Sequence, residues 1–178
     1  LGKDGPDVSV IGLGAWPIGG GMGPIDEPIA IATVQSAIDS GITLLDTAQA
    51  YRTSESTLGR ALRDGYRDRC FLATKVSREF SPEGVRAAMD DSLIALGVDH
   101  VDLYQVHSWR NDQFPIEATM ETMARLQEEG KTRYIGVCNA DAQQMGQARE
   151  TARFHSNQPR YNLLDRRIEG DLLSFCER

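Results

Sequence analysis

The stretch from residue 71 to residue 106, FLATKVSREFSPEGVRAAMDDSLIALGVDHVDLYQV, has the pattern of one complete strand–helix–strand unit. Phe71 to Lys75 is a short apolar run typical of a buried strand, and Val101 to Val106 is a second such run. Between them, Ser81-Pro82 is typical of a helix start and Gly97 of a helix end. Apolar residues recur at helical spacing between these two signals: Val85, Ala88, Met89, Leu93 and Leu96. We therefore predict two parallel strands joined by a crossover helix.

The same alternation continues on both sides of this unit. Further strands are predicted at Val8 to Leu13, Ile42 to Leu45, Tyr134 to Val137 and Phe154 to Gln158. Further helices are predicted at Pro28 to Ser40, Ser54 to Arg63, Pro115 to Glu129, Asp141 to Arg153 and Ile168 to Glu177. Asp141 and Gln144 have the spacing of a capping box at the start of one of these helices. The result is six βα units in one domain over residues 1–178, with no linker or second domain.

This alternation fits two architectures, a doubly wound sheet or a (β/α) barrel. A doubly wound dinucleotide domain should carry G-x-G-x-x-G after its first strand, but Pro17 stands where the third glycine belongs in the run from Gly12. The glycines between Gly19 and Gly23 form a different pattern, which we interpret as a flexible loop. The sequence therefore favours a TIM (β/α)8 barrel. Eight units in about 250 residues close such a barrel, so we expect this domain to be incomplete at its C-terminus.

Composition and charge narrow the classes of partner. The 178 residues carry a formal net charge of −7, and a sequence-independent nucleic-acid binder would be basic. No apolar run reaches the roughly 18 residues of a membrane-spanning helix. The three cysteines are scattered and form no C-x-x-C pair. We interpret them as free thiols of a cytoplasmic protein, and we predict no metal site. The sequence leaves the oligomeric state open, including a homo-oligomer.

Four polar residues follow or end three successive predicted strands: Asp46 and Tyr51, then Lys75, then His107. In a barrel these positions converge on the face where active sites lie. Reduction of a carbonyl adds a hydride to carbon and a proton to oxygen, and a tyrosine hydroxyl can supply that proton. An ammonium about 4 Å away would favour the phenolate by roughly 4 kcal/mol, or about three pKa units. Asp46 would keep Lys75 charged, and a neutral His107 would bond either the carbonyl oxygen or Tyr51. We therefore expect a hydrogen bond between the Tyr51 hydroxyl and the Lys75 amine, and a contact between Lys75 and Asp46.

Five segments in this order resemble the aldo-keto reductase superfamily: Leu44 to Tyr51, Ala73 to Val76, Val101 to His107, Gly130 to Val137 and Gln158 to Leu164. The resemblance implies that Tyr51 is the general acid, that Lys75 and Asp46 tune it, and that His107 orients a small carbonyl substrate. It also implies NADPH (NADP+) as cofactor, bound in an extended form without a glycine loop. The nicotinamide would lie near Gly14, Ala15 and Trp16, with its carboxamide bonded by Asn139 and Gln158.

The chain departs from the family pattern at two places. Cys138 precedes Asn139 where the family usually has serine, and a thiol is a weaker hydrogen-bond partner than a hydroxyl. Ser108 separates His107 from Trp109, whereas many members have an aromatic residue directly after the histidine. Two alternatives to a reductase stay open: an isomerase or aldolase that uses Lys75 as a Schiff base, and an NADPH-sensing regulatory subunit that retains the four residues.

Overall fold

A computed structural model describes residues 1–2, 5–108 and 114–177. Six strands alternate with six helices along this part of the chain. The strands are β1 (Gly12–Gly14), β2 (Leu44–Asp46), β3 (Phe71–Val76), β4 (Val101–Val106), β5 (Thr132–Cys138) and β6 (Ser156–Gln158). The helices are α1 (Glu27–Asp39), α2 (Ser54–Ala61), α3 (Pro82–Leu96), α4 (Ile116–Glu128), α5 (Ala142–Thr151) and α6 (Leu172–Glu177).

The six strands form one parallel sheet in which each strand pairs with the next one along the chain, in the order β1-β2-β3-β4-β5-β6. A doubly wound sheet would change direction partway through its strand order, whereas a barrel adds strands in sequence. The observed order therefore confirms the predicted (β/α) barrel architecture, with six of its units in this chain. Because all strands are parallel, their carboxyl ends meet at one edge.

Local sequence signals set the helix ends. The Ser81 side chain accepts a hydrogen bond from the Gly84 backbone N–H at the start of α3, and Gly97 ends the helix at φ 66°, where a side chain would be strained. Asp141 and Gln144 form the predicted capping box at the start of α5. The apolar stripes of α1, α3 and α4 pack on the sheet, and their most deeply buried members include Val34, Met89 and Met120. Of the helices described, none is long and apolar enough to cross a membrane.

Two predicted elements differ from the structure by more than two residues at one end. The predicted strand from Val8 to Leu13 pairs only over Gly12–Gly14, because the residues before it are held by side-chain bonds: the Ser9 hydroxyl accepts from the Thr43 backbone N–H at 2.9 Å. The predicted helix from Ile168 to Glu177 is instead a 3-10 turn at Arg167–Glu169 followed by α6. The two pieces are separated at Gly170, where the backbone leaves helical geometry.

Candidate active site

The four residues predicted from strand ends lie on three neighbouring strands at the carboxyl edge of the sheet. Asp46 is the last residue of β2, and Lys75 is the fifth of the six residues of β3. His107 directly follows β4, and its backbone N–H continues the ladder by donating to the Val76 carbonyl at 3.0 Å. Tyr51 lies in the turn after β2, closed by a bond from its N–H to the Ala48 carbonyl. Parallel pairing thus brings together residues that are up to 61 positions apart.

Lys75 and Asp46 form the tightest contact of the site. The Lys75 ammonium lies 2.5 Å from Asp46 Oδ1 and donates to the Thr47 carbonyl at 2.9 Å. The lysine side chain is 2% exposed and the aspartate side chain 19%. A buried cation needs a counter-charge and hydrogen bonds to offset its desolvation, and both are present here. The structure therefore contains the expected contact between the Lys75 ammonium and the Asp46 carboxylate.

The contacts of Tyr51 differ from the expectation. Its hydroxyl lies 3.4 Å from His107 Nε2, and the two rings meet edge to face with centroids 5.4 Å apart. The Lys75 ammonium lies 5.3 Å from the centroid of the Tyr51 ring, and no hydrogen bond joins it to the hydroxyl. Among the described residues the Lys75 ammonium is bonded to Asp46 and to the Thr47 carbonyl, and the expected direct bond to the Tyr51 hydroxyl is not found.

The electrostatics of Tyr51 follow from this arrangement. Burial raises the pKa of the Tyr51 hydroxyl to about 12, and the nearby Asp46 carboxylate adds to the increase. The expected shift towards phenolate is therefore not found in the structure, because burial and the Asp46 carboxylate both favour the neutral hydroxyl. Burial, followed by the charge of Lys75, lowers the pKa of His107. At neutral pH the site therefore contains a protonated tyrosine beside a neutral histidine, a pair suited to donating a proton.

Two further residues of the site were not singled out from the sequence. The Ser77 hydroxyl lies 2.7 Å from His107 Nδ1 and two positions after Lys75, at the carboxyl edge where polar residues were sought. Gly19 packs against the Tyr51 turn so closely that a Cβ atom there would lie 1.9 Å from the Tyr51 carbonyl oxygen. The loop predicted to be flexible thus includes a residue on which the position of Tyr51 depends. Its only sequence signal is the choice of glycine.

Gly14, Ala15 and Trp16 lie at the carboxyl end of β1, next to the Asp46 end of β2. The Ala15 N–H donates to the Asp46 carbonyl at 2.8 Å, and the Ala15 carbonyl accepts from the Ser54 hydroxyl at 2.9 Å. A Cβ atom built on Gly14 would meet no atom within 4 Å, so the space beside this strand end is open. The Trp16 side chain packs on Gly21 and is 47% exposed. Trp109, the other aromatic considered for the pocket wall, lies outside the described residues.

Asn139 and Gln158 lie side by side where β5 and β6 end. The Asn139 N–H donates to the Gln158 carbonyl at 3.2 Å, and the Asn139 side-chain amide donates to the His107 carbonyl at 3.3 Å. Asn139 has a φ of 57°, a left-handed conformation that asparagine tolerates better than most residues. The Cys138 thiol is buried and donates to the Gln158 side-chain oxygen at 3.5 Å, so the substitution of serine by cysteine leaves a weak bond in place.

The residues at these strand ends fit a nicotinamide carboxamide. Two exposed side-chain amides offer donors and acceptors that match those of another amide. A groove of about 220 Å³ continues from Asn139 past Arg160 towards α6, on the same side of the sheet. The open space at Gly14 and the groove beyond β5 and β6 both lie where strands end at the carboxyl edge.

Comparison with known proteins decides the family. The model of the aldo/keto reductase family matches residues 10–178. This chain belongs to the aldo/keto reductase family. It is 41% identical over 186 residues to aldo-keto reductase YhdN of Bacillus subtilis (strain 168), a match that covers 97% of this chain and 56% of that protein. It is 33% identical over 202 residues to the NADH-specific methylglyoxal reductase of Escherichia coli (strain K12), covering 99% of this chain and 62% of that protein.

A solved structure of the family supports the same assignment. The aldo/keto reductase from Klebsiella pneumoniae, crystallised with NADP and acetate, superposes with a TM-score of 0.87 and 37% sequence identity. The match covers 96% of this chain and 60% of that one. The chain therefore spans between 56% and 62% of the length of these three relatives.

Proposed function

We propose that the full-length protein is a carbonyl reductase that transfers a hydride from NADPH to a small aldehyde or ketone, with Tyr51 as the general acid. The observation that carries the proposal is the Tyr51 hydroxyl, protonated by virtue of its raised pKa and held 3.4 Å from His107 beside the buried Lys75–Asp46 pair. Membership of the aldo/keto reductase family and the relative crystallised with NADP support the same reaction.

The roles follow from what each group can do to a carbonyl oxygen. Bound NADPH supplies the hydride to the carbonyl carbon. Tyr51 gives its proton to the oxygen, and the phenolate left behind lies close to the Lys75 ammonium. This developing negative charge is stabilised by a cation that Asp46 and the Thr47 carbonyl already hold in place, so little reorganisation is needed. His107, whose Nε2 lies 3.4 Å from the Tyr51 hydroxyl, orients the substrate oxygen or the tyrosine.

The cofactor would be held at the carboxyl ends of β1, β5 and β6. We assign Asn139 and Gln158 to the carboxamide, and Gly14, Ala15 and Trp16 to the neighbouring wall, on the basis of their position at strand ends. NADPH is proposed over NADH because the Klebsiella pneumoniae relative was crystallised with NADP. The Escherichia coli relative is named as NADH-specific, so both dinucleotides belong in the assay.

The free thiols Cys70, Cys138 and Cys176 support a reducing, cytoplasmic location.

The decisive experiment is Tyr51→Phe in the full-length protein. We expect the rate of NADPH oxidation with a panel of aldehydes, methylglyoxal among them, to fall by at least about 100-fold. The dissociation constant for NADPH should stay unchanged, because the hydroxyl acts on the substrate oxygen. Tyr66→Phe is the matched control, since the Tyr66 hydroxyl is exposed and donates only to Asp39. Wild-type turnover in Tyr51→Phe would refute the assignment of the general acid.

The two alternatives give different results in the same assays. A regulatory subunit would bind NADPH without oxidising it in the presence of any aldehyde. A Schiff-base enzyme would be trapped on Lys75 by borohydride in the presence of a carbonyl compound. The ion pair disfavours the second alternative, because the Lys75 amine is bonded to Asp46 and the Thr47 carbonyl and is 2% exposed, which leaves it poorly placed to attack a substrate carbonyl.

A further inference from the structure

The His107 ring has a protein partner at each of its two nitrogens. Nδ1 lies 2.7 Å from the Ser77 hydroxyl oxygen, and Nε2 lies 3.4 Å from the Tyr51 hydroxyl oxygen. A neutral imidazole carries one N–H and one lone pair, so one nitrogen donates and the other accepts. Which nitrogen carries the hydrogen decides whether His107 can donate a hydrogen bond towards Tyr51 and the substrate.

The Ser77 hydroxyl has one hydrogen and two acceptors within reach. One is His107 Nδ1 at 2.7 Å, and the other is the Lys75 carbonyl oxygen at 3.3 Å. The contact with His107 has the length of a well-formed hydroxyl bond and is the shorter of the two by about 0.6 Å. The Lys75 carbonyl also already accepts from the Gln49 backbone N–H. We therefore assign the Ser77 hydroxyl as the donor to His107 Nδ1. In this arrangement Nδ1 carries the lone pair and Nε2 carries the hydrogen.

We propose that Ser77 is a positioning residue that holds His107 in the tautomer with hydrogen on Nε2. This inference rests on the proposed reductase function, because the tautomer is given a role in that reaction. His107 Nε2–H then donates to the Tyr51 oxygen, and the Tyr51 hydrogen is free to point at the substrate. In the opposite tautomer the Tyr51 hydrogen would be bound to Nε2 and would have to leave that bond before reaching a carbonyl.

The surrounding charges are consistent with a neutral ring. Lys75 and Asp46 face His107 from β3 and β2, and Tyr51 faces it from the turn after β2. Burial and the Lys75 ammonium lower the pKa of His107. A hydrogen bond donated to the Tyr51 oxygen also polarises its O–H bond, which favours proton transfer from a hydroxyl whose pKa burial has raised.

The test is the tautomer of His107, read from 15N–1H correlation spectra of the imidazole rings in the full-length protein. The His107 signals are assigned by their loss in His107→Gln. We expect the Nε2–H tautomer in the wild type and in Ser77→Thr, which keeps the hydroxyl. Ser77→Ala should populate the Nδ1–H tautomer and lower kcat by roughly 5-fold to 10-fold, the effect of one lost orienting hydrogen bond, with the NADPH dissociation constant unchanged. Ser56→Ala is the matched control, because the Ser56 hydroxyl is exposed and donates to the Thr53 carbonyl.

Three results would overturn the proposal. The first is the Nδ1–H tautomer in the wild type. The second is a Ser77→Ala protein whose tautomer matches that of the wild type, whatever its rate. The third is a changed tautomer with an unchanged kcat. Because the spectrum needs no turnover, a failure of the reductase assignment is distinguishable: the wild type would then show no carbonyl reduction, while its spectrum would still report whether Ser77 sets the tautomer.

Discussion

The buried ion pair between Lys75 and Asp46 should make Asp46→Asn one of the most destabilising single polar substitutions at the site. The substitution leaves the Lys75 ammonium, 2% exposed, without a counter-charge, and only two neutral acceptors remain beside it: the Thr47 carbonyl and the amide oxygen of the new side chain. Removing one partner of a buried pair costs about 3–5 kcal/mol. We expect the lower end, about 3 kcal/mol, because the Asp46 side chain is 19% exposed and solvent screens part of the interaction.

An upper limit follows from the chemistry of lysine. A stranded ammonium can always lose its proton, and with a reference pKa of about 10.4 this costs roughly 4–5 kcal/mol at pH 7. The destabilisation therefore cannot greatly exceed that value. A double variant that combines Asp46→Asn with Lys75→Met should recover most of the loss, because an apolar side chain of similar length replaces the buried charge.

The assay is urea unfolding of the full-length protein at neutral pH, with the slope checked for constancy between variants. The matched control is Asp90→Asn, which breaks the Lys131–Asp90 pair. Its atoms are 2.6 Å apart, but its side chains are 31% and 53% exposed. An exposed pair is worth about 1 kcal/mol or less. If Asp46→Asn lowers the free energy of unfolding by no more than Asp90→Asn does, the account of a buried pair that fixes Lys75 is refuted.

Three further substitutions test the packing around the site by urea unfolding. Glu55 is buried, and its carboxylate accepts a hydrogen bond from the Thr74 hydroxyl. Burial raises the pKa of Glu55 above its usual value of 4.5. The wild type should therefore lose stability as the pH rises from about 4.5 through the raised pKa. Glu55→Gln removes this titration, and its stability relative to wild type should increase over the same window; a pH-independent difference would contradict the sign. Gly97→Ala places a side chain at φ 66° and should cost about 1 kcal/mol, and a stabilised variant would show that the C-cap conformation is not required. Met120→Ala removes a fully buried side chain and should cost about 2–5 kcal/mol, whereas a near-neutral result would mean that the core under α4 can collapse.

Features governed by neighbouring residues could be predicted from the sequence. The caps at Ser81, Gly97 and Asp141 depend on hydrogen bonds within one turn of the chain, and each is found where the sequence placed it. The alternation of strands and helices follows from hydrophobic periodicity, and the absence of the third glycine of G-x-G-x-x-G favoured the barrel order that the sheet has. The prediction that Asp46, Lys75 and His107 share one edge required only that the strands be parallel.

Contacts between strands could not be predicted from the sequence. The length of β1 is limited by the side-chain bonds between Ser9 and Thr43, which the apolar stretch from Val8 to Leu13 does not reveal. The direction of the Lys75 ammonium, towards Asp46 and the Thr47 carbonyl and away from the Tyr51 hydroxyl, was likewise decided by side-chain packing in three dimensions.

The sequence by itself determined which chemical groups stand at the carboxyl edge of the sheet, because strand order and residue type are both written along the chain. Only the tertiary structure decided how those groups are paired. The Ser77 hydroxyl contacts His107, which is 30 positions away in the sequence. Gly19 leaves space for the Tyr51 turn, which is 32 positions away. The physical reason is range: a hydrogen bond acts over about 3 Å, so a change in strand register or rotamer that leaves the fold intact is enough to make or break it.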